Sequence, residues 1–279
     1  MRQIETIAEM KAACRSVTHA GKRLGLVPTM GALHEGHLSL VRAAAAECEV
    51  VSASIFVNPL QFGPPEDFEK YPRSLQRDAE LLEKAGVTLL FVPSVAEMYP
   101  AGATTYVEVS DLSSKLDGGS RPGHFRGVAT VVSKLFEIVR PDRAYFGQKD
   151  AAQVALLHKM VRDLDMDVEV VVCPIVRESD GLAMSSRNAY LSPEQRRQAL
   201  VLSRSLVEVK SAVDAGEHDA GKLAEIGMRV IAAEPGAKLD YFVVVDRDTL
   251  EPVKNVAQGT LVAVAAWVGT TRLIDNLVL

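Results

Sequence analysis

The sequence predicts an α/β protein built on a doubly wound parallel sheet, with a smaller C-terminal α+β domain of helices and a short antiparallel sheet. Three observations carry this. Apolar strands alternate with amphipathic helices from residue 21 to residue 174, the pattern of successive βαβ units. Residues 50–57, VVSASIFV, are β-branched and almost continuously apolar, as a strand covered on both faces must be. The pattern then changes around residues 176–186, beyond which two helical stretches precede three strand-like ones with no helix between them, and that order predicts antiparallel pairing. The expected division is 1–180 for the first domain and 181–279 for the second.

Each element has a local reason. Thr6 with Glu9 reads as a capping box opening a helix that carries Ile7, Met10 and Cys14 on one face. Residues 21–28 supply a turn and the first strand. After a second turn comes a helix with Leu38, Val41 and a run of alanines, whose small side chains suit close packing on a sheet. The strand at 50–57 ends at Asn58-Pro59, so residues 60–65, LQFGPP, form a loop. Ser74 caps a helix with Leu75, Ala79 and Leu82, which Gly86 closes. Residues 88–92 and 106–109 read as short strands, and 118–124, GGSRPGH, as a flexible loop. A helix follows at 128–139, buried through Val131, Leu135 and Ile138. RAYFG at 143–147 is a strand, then a helix bears Val154, Leu157, Val161 and Leu164, and 168–172 is a further strand. Ser192, Pro193 and Gln195 start a long charged helix. Another spans 220–233, and strands cover 239–245, 261–268 and 272–279.

Composition narrows the function classes. With 279 residues, 48% hydrophobic and 24% charged, the chain is an ordinary globular protein. A net charge of −5 argues against nucleic acid as its main partner. The three cysteines are odd in number and widely spaced, which fits a reducing compartment better than a disulfide framework. There is no signal-peptide core at the N-terminus and no apolar run of membrane-spanning length, so a cytoplasmic protein without membrane contact is expected.

Residues 27–40, VPTMGALHEGHLSL, run from the first strand through a glycine turn into a helix with His34 and His37 at its entrance. Backbone N–H groups and the positive end of a helix dipole make such a turn a seat for phosphate. Imidazoles add donors that can follow charge as it moves among phosphate oxygens. Zinc fits less well, because the metalloprotease pattern needs histidines four apart and Gly36 interrupts the helix. No G-x-x-x-x-G-K-[ST] loop is present, which disfavours a P-loop ATPase. In open α/β sheets ligands bind beyond the carboxyl ends of strands, and polar residues recur there. They are Asn58 and Gln61 after the second strand, Lys149, Asp150 and Gln153 after RAYFG, and Arg177, Met184, Ser185, Ser186 and Arg187 after the last. Lys149 suits a phosphate, and the Ser-Ser-Arg turn suits a flap over a polyphosphate.

Five segments together resemble one family. VPTMGALHEGHLSL (27–40), FVNPLQF (56–62), RPGHFRGVATVVSKLF (121–136), YFGQKD (145–150) and MSSRNAYLS (184–192) are similar to the pantoate–β-alanine ligases, or pantothenate synthetases, of the HxGH nucleotidyltransferase-like superfamily. One departure is Ala152, where the family often has glutamine before the residue equivalent to Gln153. The resemblance implies a Rossmann-like ATP- and pantoate-binding domain with a lid-like second domain. It implies condensation of (R)-pantoate with β-alanine through pantoyl adenylate, releasing AMP and diphosphate. By the same resemblance Met30, Gly31, Ala32, Leu33, His34, Glu35, Gly36 and His37 bind ATP, with His37 and His34 donating to the phosphates. Lys149, Ser185, Ser186 and Arg187 hold the phosphate chain, and Met184 also binds ATP; residues 147–150 (Gly147, Gln148, Lys149, Asp150) and Val176 line the adenosine pocket; Gln61 and Gln153 fix pantoate, with Gln61 also near β-alanine. Mg²⁺ bridges phosphate oxygens with few protein ligands, Asp78 being a candidate outer partner. A homodimer is implied too. Competing readings are an adenylyltransferase of the same superfamily, an aminoacyl-tRNA synthetase, disfavoured by the short acidic chain, and a non-catalytic nucleotide sensor.

Overall fold

The structure is a computed structural model that describes residues 1–63 and 74–279. Pro64 and Pro65 of the expected loop lie outside the described residues. The chain forms two compact units, Met1–Gly147 with Leu156–Cys173, and Gln148–Ala155 with Pro174–Leu279.

The first unit is built on a six-stranded parallel sheet. Its elements are β1 (Arg2–Ile4), α1 (Ile7–His19), β2 (Leu24–Thr29), α2 (Glu35–Glu47), β3 (Val50–Ile55), α3 (Leu75–Ala85), β4 (Leu89–Phe91), the short α4 (Val95–Met98) and α5 (Asp117–Ser120), α6 (His124–Val139) and β5 (Arg143–Gly147). α7 (Ala151–Asp163) passes from the second unit into the first, and β6 (Glu169–Cys173) completes the sheet. Strand order is β1-β4-β3-β2-β5-β6, with every pairing parallel. The chain therefore winds outward from β2 through β3 to β4, then returns to the other side of β2 with β5. That reversal makes the end of β2 the switch point, where doubly wound sheets open a ligand crevice. Val27, Val41, Leu82, Leu90 and Tyr145 form part of the buried cluster that joins sheet and helices on one face.

Several local expectations change. β1 is an addition to the predicted elements: three residues with two exposed side chains give no periodic signal, yet they pair with β4. Residues 106–109 form no strand, because the Val107 N–H bonds to Thr130 Oγ1 at 3.0 Å instead of to a neighbouring strand. The glycine loop at 118–124 is not loose. It overlaps α5 and ends on the first residue of α6, and Gly118 is buried so close to the Ser113 carbonyl that a Cβ there would overlap it. Gly36 sits inside the first turn of α2 and does not interrupt it. Ser74 precedes α3 without a side-chain cap bond.

The second unit contains α8 (Pro193–Ala199), α9 (Val201–Asp214), α10 (Ala220–Ala232), β7 (Ala237–Asp246), β8 (Thr260–Val268) and β9 (Thr271–Val278). The expected long helix is thus two, joined at Leu200. The Ser192–Gln195 capping box forms as expected, with reciprocal bonds of 3.2 and 3.0 Å. β7, β8 and β9 make an antiparallel sheet in that order. One face packs on α9 and α10 through Leu202, Leu206, Leu223, Ile231, Val262 and Val264.

Candidate active site

In the first unit the site begins with an irregular turn after β2. Gly31 and Ala32 both have positive φ, +86° and +51°. For alanine that conformation costs energy, so the surroundings must hold it. Asp78 of α3 does so: buried to 1% exposure, its carboxylate accepts the Ala32 N–H at 2.8 Å and the Leu33 N–H at 3.0 Å. Thr29 Oγ1 accepts the Gly31 N–H at 3.2 Å and donates to the Ser54 carbonyl at 2.7 Å. The expectation that this turn offers unpaired N–H groups to phosphate is therefore corrected, because those of residues 31–33 are already engaged within the protein.

The donors at the helix entrance are instead imidazoles. His34 is the N-cap of α2; its Nδ1 accepts the Gly36 N–H at 3.2 Å. His37 Nδ1 accepts the His34 N–H at 3.4 Å, so both histidines cap backbone at the helix entrance. Their ring centroids lie 4.1 Å apart. With each Nδ1 acting as acceptor, the proton of each neutral ring resides on Nε2, and that tautomer makes Nε2 a donor. Capping and donation are thus the two edges of one side chain.

Gln61 is set by a second network. It ends a 3-10 turn, Pro59–Gln61, whose N-cap is Asn58. Asn58, 1% exposed, donates to Gln61 Oε1 and to the Gly127 carbonyl, both at 3.0 Å, and accepts from Tyr99 Oη at 2.8 Å. Burial raises the Tyr99 phenol above its ordinary range, so it remains a donor. Gln61 Nε2 lies 3.1 Å from Met30 Sδ, which joins this network to the histidine turn. Arg121 lies 2.9 Å from His124 Nε2, and His124 Nδ1 lies 2.9 Å from the Gln61 carbonyl. Because arginine can only donate, His124 accepts on Nε2 and donates from Nδ1. Sequence alone places Asn58 at a strand end without giving it this positioning part, and assigns no role to Tyr99, Arg121 or His124; the RPGH segment is visible there, but not what it grips.

In the second unit, Gln148–Asp150 form a 3-10 turn leading into α7. Lys149 Nζ is 3.9 Å from Asp150 Oδ1. Gln153 lies in the first turn of α7 and is half-buried, while Ala152 beside it is buried at 2% exposure. Residues 176–184 fold back on themselves, with Met184 N–H bonding to the Val176 carbonyl at 3.0 Å and Glu178 N–H to the Leu182 carbonyl at 2.8 Å. Ser185 caps the following turn, Ser186–Tyr190, and accepts the Arg187 N–H at 3.2 Å. Charge fixes this hairpin from its far side: Arg196 bonds Glu178 and Asp180, each at 2.7 Å, and Asn188 donates to Glu178 at 2.8 Å. Partial burial works against the Asp180 carboxylate, but the Leu182 N–H and the Arg196 guanidinium outweigh it and hold its pKa low.

Among the described residues no group of three or more His, Cys, Asp or Glu side chains is arranged to hold a metal ion, and no helix is long and apolar enough to cross a membrane. Asp78, the candidate outer partner of Mg²⁺, already has both oxygens bonded to backbone N–H groups.

A parallel α/β sheet with an H-x-G-H turn at its switch point, and polar turns after its later strands, defines a Rossmann-like enzyme of the HxGH class. A family model described as Pantoate-beta-alanine ligase matches residues 2–278. The chain is 63% identical over 290 residues to a protein named pantothenate synthetase from Acidobacterium capsulatum, covering 100% of this chain and 97% of that one. A crystal structure of pantothenate synthetase from Thermus thermophilus superposes with a TM-score of 0.94 at 48% identity, covering 99% of both chains. The Francisella tularensis pantoate-beta-alanine ligase, described as complexed with beta-gamma ATP and beta-alanine, gives a TM-score of 0.77 at 33% identity, covering 100% of this chain and 97% of that one. The chain belongs to the pantoate–β-alanine ligase family and is a ligase.

Proposed function

We propose that the protein condenses (R)-pantoate with β-alanine at the expense of ATP, through enzyme-bound pantoyl adenylate, releasing diphosphate and then AMP. A pantoate carboxylate oxygen attacks the α-phosphorus and the bond to the β-phosphate breaks, so charge passes to the leaving diphosphate. The β-alanine amine then attacks the acyl carbon; the acyl–oxygen bond breaks, AMP departs with that oxygen, and the amine sheds its proton. Little covalent assistance is needed, so positioning and neutralisation do most of the work. The observation that carries this reading is the His34–His37 pair, in which each Nδ1 accepts a backbone N–H, leaving Nε2 as the nitrogen of each ring that can donate.

In this reading residues 30–37 face ATP, and His37 with His34 donates to phosphate oxygens as charge develops. Lys149, Ser185, Ser186 and Arg187 hold the phosphate chain, with Met184 also against ATP. Gly147, Gln148, Asp150 and Val176 line the adenosine pocket, and Gln61 and Gln153 fix pantoate. Mg²⁺ accompanying ATP would supply neutralisation of phosphate charge, with Asp78, whose carboxylate oxygens already accept backbone N–H groups, at most an outer partner. Residues 1–180 would serve as the ATP- and pantoate-binding domain and 181–279 as its lid. Three buried free cysteines support a reducing cytoplasm; a homodimer rests on the family resemblance alone.

Diphosphate release with each substrate omitted in turn tests the reading. ATP with pantoate alone should give a burst limited to the enzyme concentration, and sustained release of diphosphate and AMP should require β-alanine. Turnover without pantoate, or sustained AMP release without β-alanine, would overturn it in favour of a different acceptor.

A further inference from the structure

We infer that Asp275 and Asn276, adjacent residues of the last strand, are positioning residues of the nucleotide site, each gripping one of the two segments assigned to the phosphate chain. Both are buried, at 3% exposure, in the middle of the strand. Asn276 Nδ2 donates to the carbonyls of Gln148 at 2.9 Å and Lys149 at 3.0 Å, while its Oδ1 accepts from Gln148 Nε2 at 3.0 Å. One amide thereby satisfies two main-chain acceptors and one side-chain donor of the Lys149 turn, and no other residue of that size carries two donors and an acceptor in one plane. Asp275 accepts both guanidinium nitrogens of Arg177, at 2.7 and 2.9 Å. Arg177 in turn bonds the Gly181 carbonyl at 3.1 Å, closing the hairpin that delivers Ser185, Ser186 and Arg187. Such forked, charge-assisted pairs fix orientation as well as distance.

Successive side chains of a strand point to opposite faces of its sheet. β9 therefore reaches one segment from each face, and a single rigid strand sets both. A polar pair with no role in the apolar core is otherwise expensive to bury, and neither side chain is needed to pair β9 with β8. The inference rests on the assignment of Lys149 and Arg187 to the phosphate chain.

The test combines Asn276→Ala and Asp275→Asn with Lys149→Ala and Arg187→Ala, singly and as pairs, in pantoate-dependent diphosphate release by the full-length enzyme. Asn276→Ala should lower kcat/KM for ATP by about tenfold or more, as expected when a reacting group is misplaced, with pantoate Kd measured without ATP within about twofold of wild type. If Asn276 acts through Lys149, the double variant should be no worse than Lys149→Ala alone; the Asp275→Asn and Arg187→Ala pair should behave likewise. Asp275→Asn preserves shape and one acceptor, so it reads the second segment even if Asn276→Ala folds poorly. Multiplicative losses in the double variants, equal loss of pantoate binding, or an unchanged kcat/KM in both single variants would overturn the inference. An unchanged Lys149→Ala enzyme would instead remove the phosphate role of Lys149, and with it the ground of the proposal.

Discussion

At the scale of single residues, one side chain can do two jobs with its two edges. His37 caps the backbone through Nδ1 and would meet phosphate through Nε2. His37→Ala should therefore cost about 10²-fold or more in diphosphate formation, the usual loss for a donor aimed at developing charge. Its effect on stability should stay near that of one cap, about 1 kcal/mol. Stopped-flow diphosphate release and thermal unfolding separate the two, and a rate within about threefold of wild type would refute the donor role. Gln153→Ala should raise the pantoate Kd while leaving ATP affinity nearly intact; calorimetry with each ligand alone checks this, and parallel losses would contradict it. Asp78 belongs to this scale as well. Asp78→Ala strands one buried and one part-buried N–H group and releases the strained Ala32, so denaturant unfolding should register a loss of about 2–4 kcal/mol.

At the scale of elements, close packing decides where Gln61, proposed to fix pantoate, stands. α6 approaches the turn Pro59–Gln61 so closely that a Cβ on Gly127 would overlap the Leu60 carbonyl. Gly127→Ala should push that turn and Gln61 with it, raising the pantoate KM about tenfold with little change for ATP. Equal shifts in both KM values would mean a general disturbance of the fold. α1 carries a different signature. Its Cys14 is buried in the core, and burial raises the thiol from 9.0 to about 11. Above pH 9 the unfolded chain releases this proton while the folded chain keeps it, so stability falls as pH rises from 9 to 11. The loss attributable to Cys14 is about 2–3 kcal/mol. Unfolding of Cys14→Ala should lack that part of the alkaline slope, and identical slopes in both proteins would contradict the assignment.

At the scale of the whole molecule, the doubly wound sheet and the C-terminal antiparallel sheet were legible because apolar strand segments recur along the chain, separated by helical patterns in the first and by turns in the second. Three-residue β1 was not, since only its pairing with β4 defines it. Residues 106–109 carried strand-like residues but found no strand partner, a matter of tertiary context that local pattern cannot hold. The segments proposed to hold ATP and pantoate were readable as motifs. What orders them was not: Asp78 binds a turn 45 and 46 residues away, and Asp275 and Asn276 reach across 98 and 128 residues. In the sequence these are ordinary polar residues of a helix and a strand. The central claim, that the chain activates pantoate as an acyl adenylate, is tested most directly with pantoate labelled by ¹⁸O in its carboxylate. After turnover with ATP and β-alanine, mass spectrometry should find one labelled oxygen transferred to each AMP formed and none in diphosphate. AMP without label, or label in a released phosphate, would contradict it.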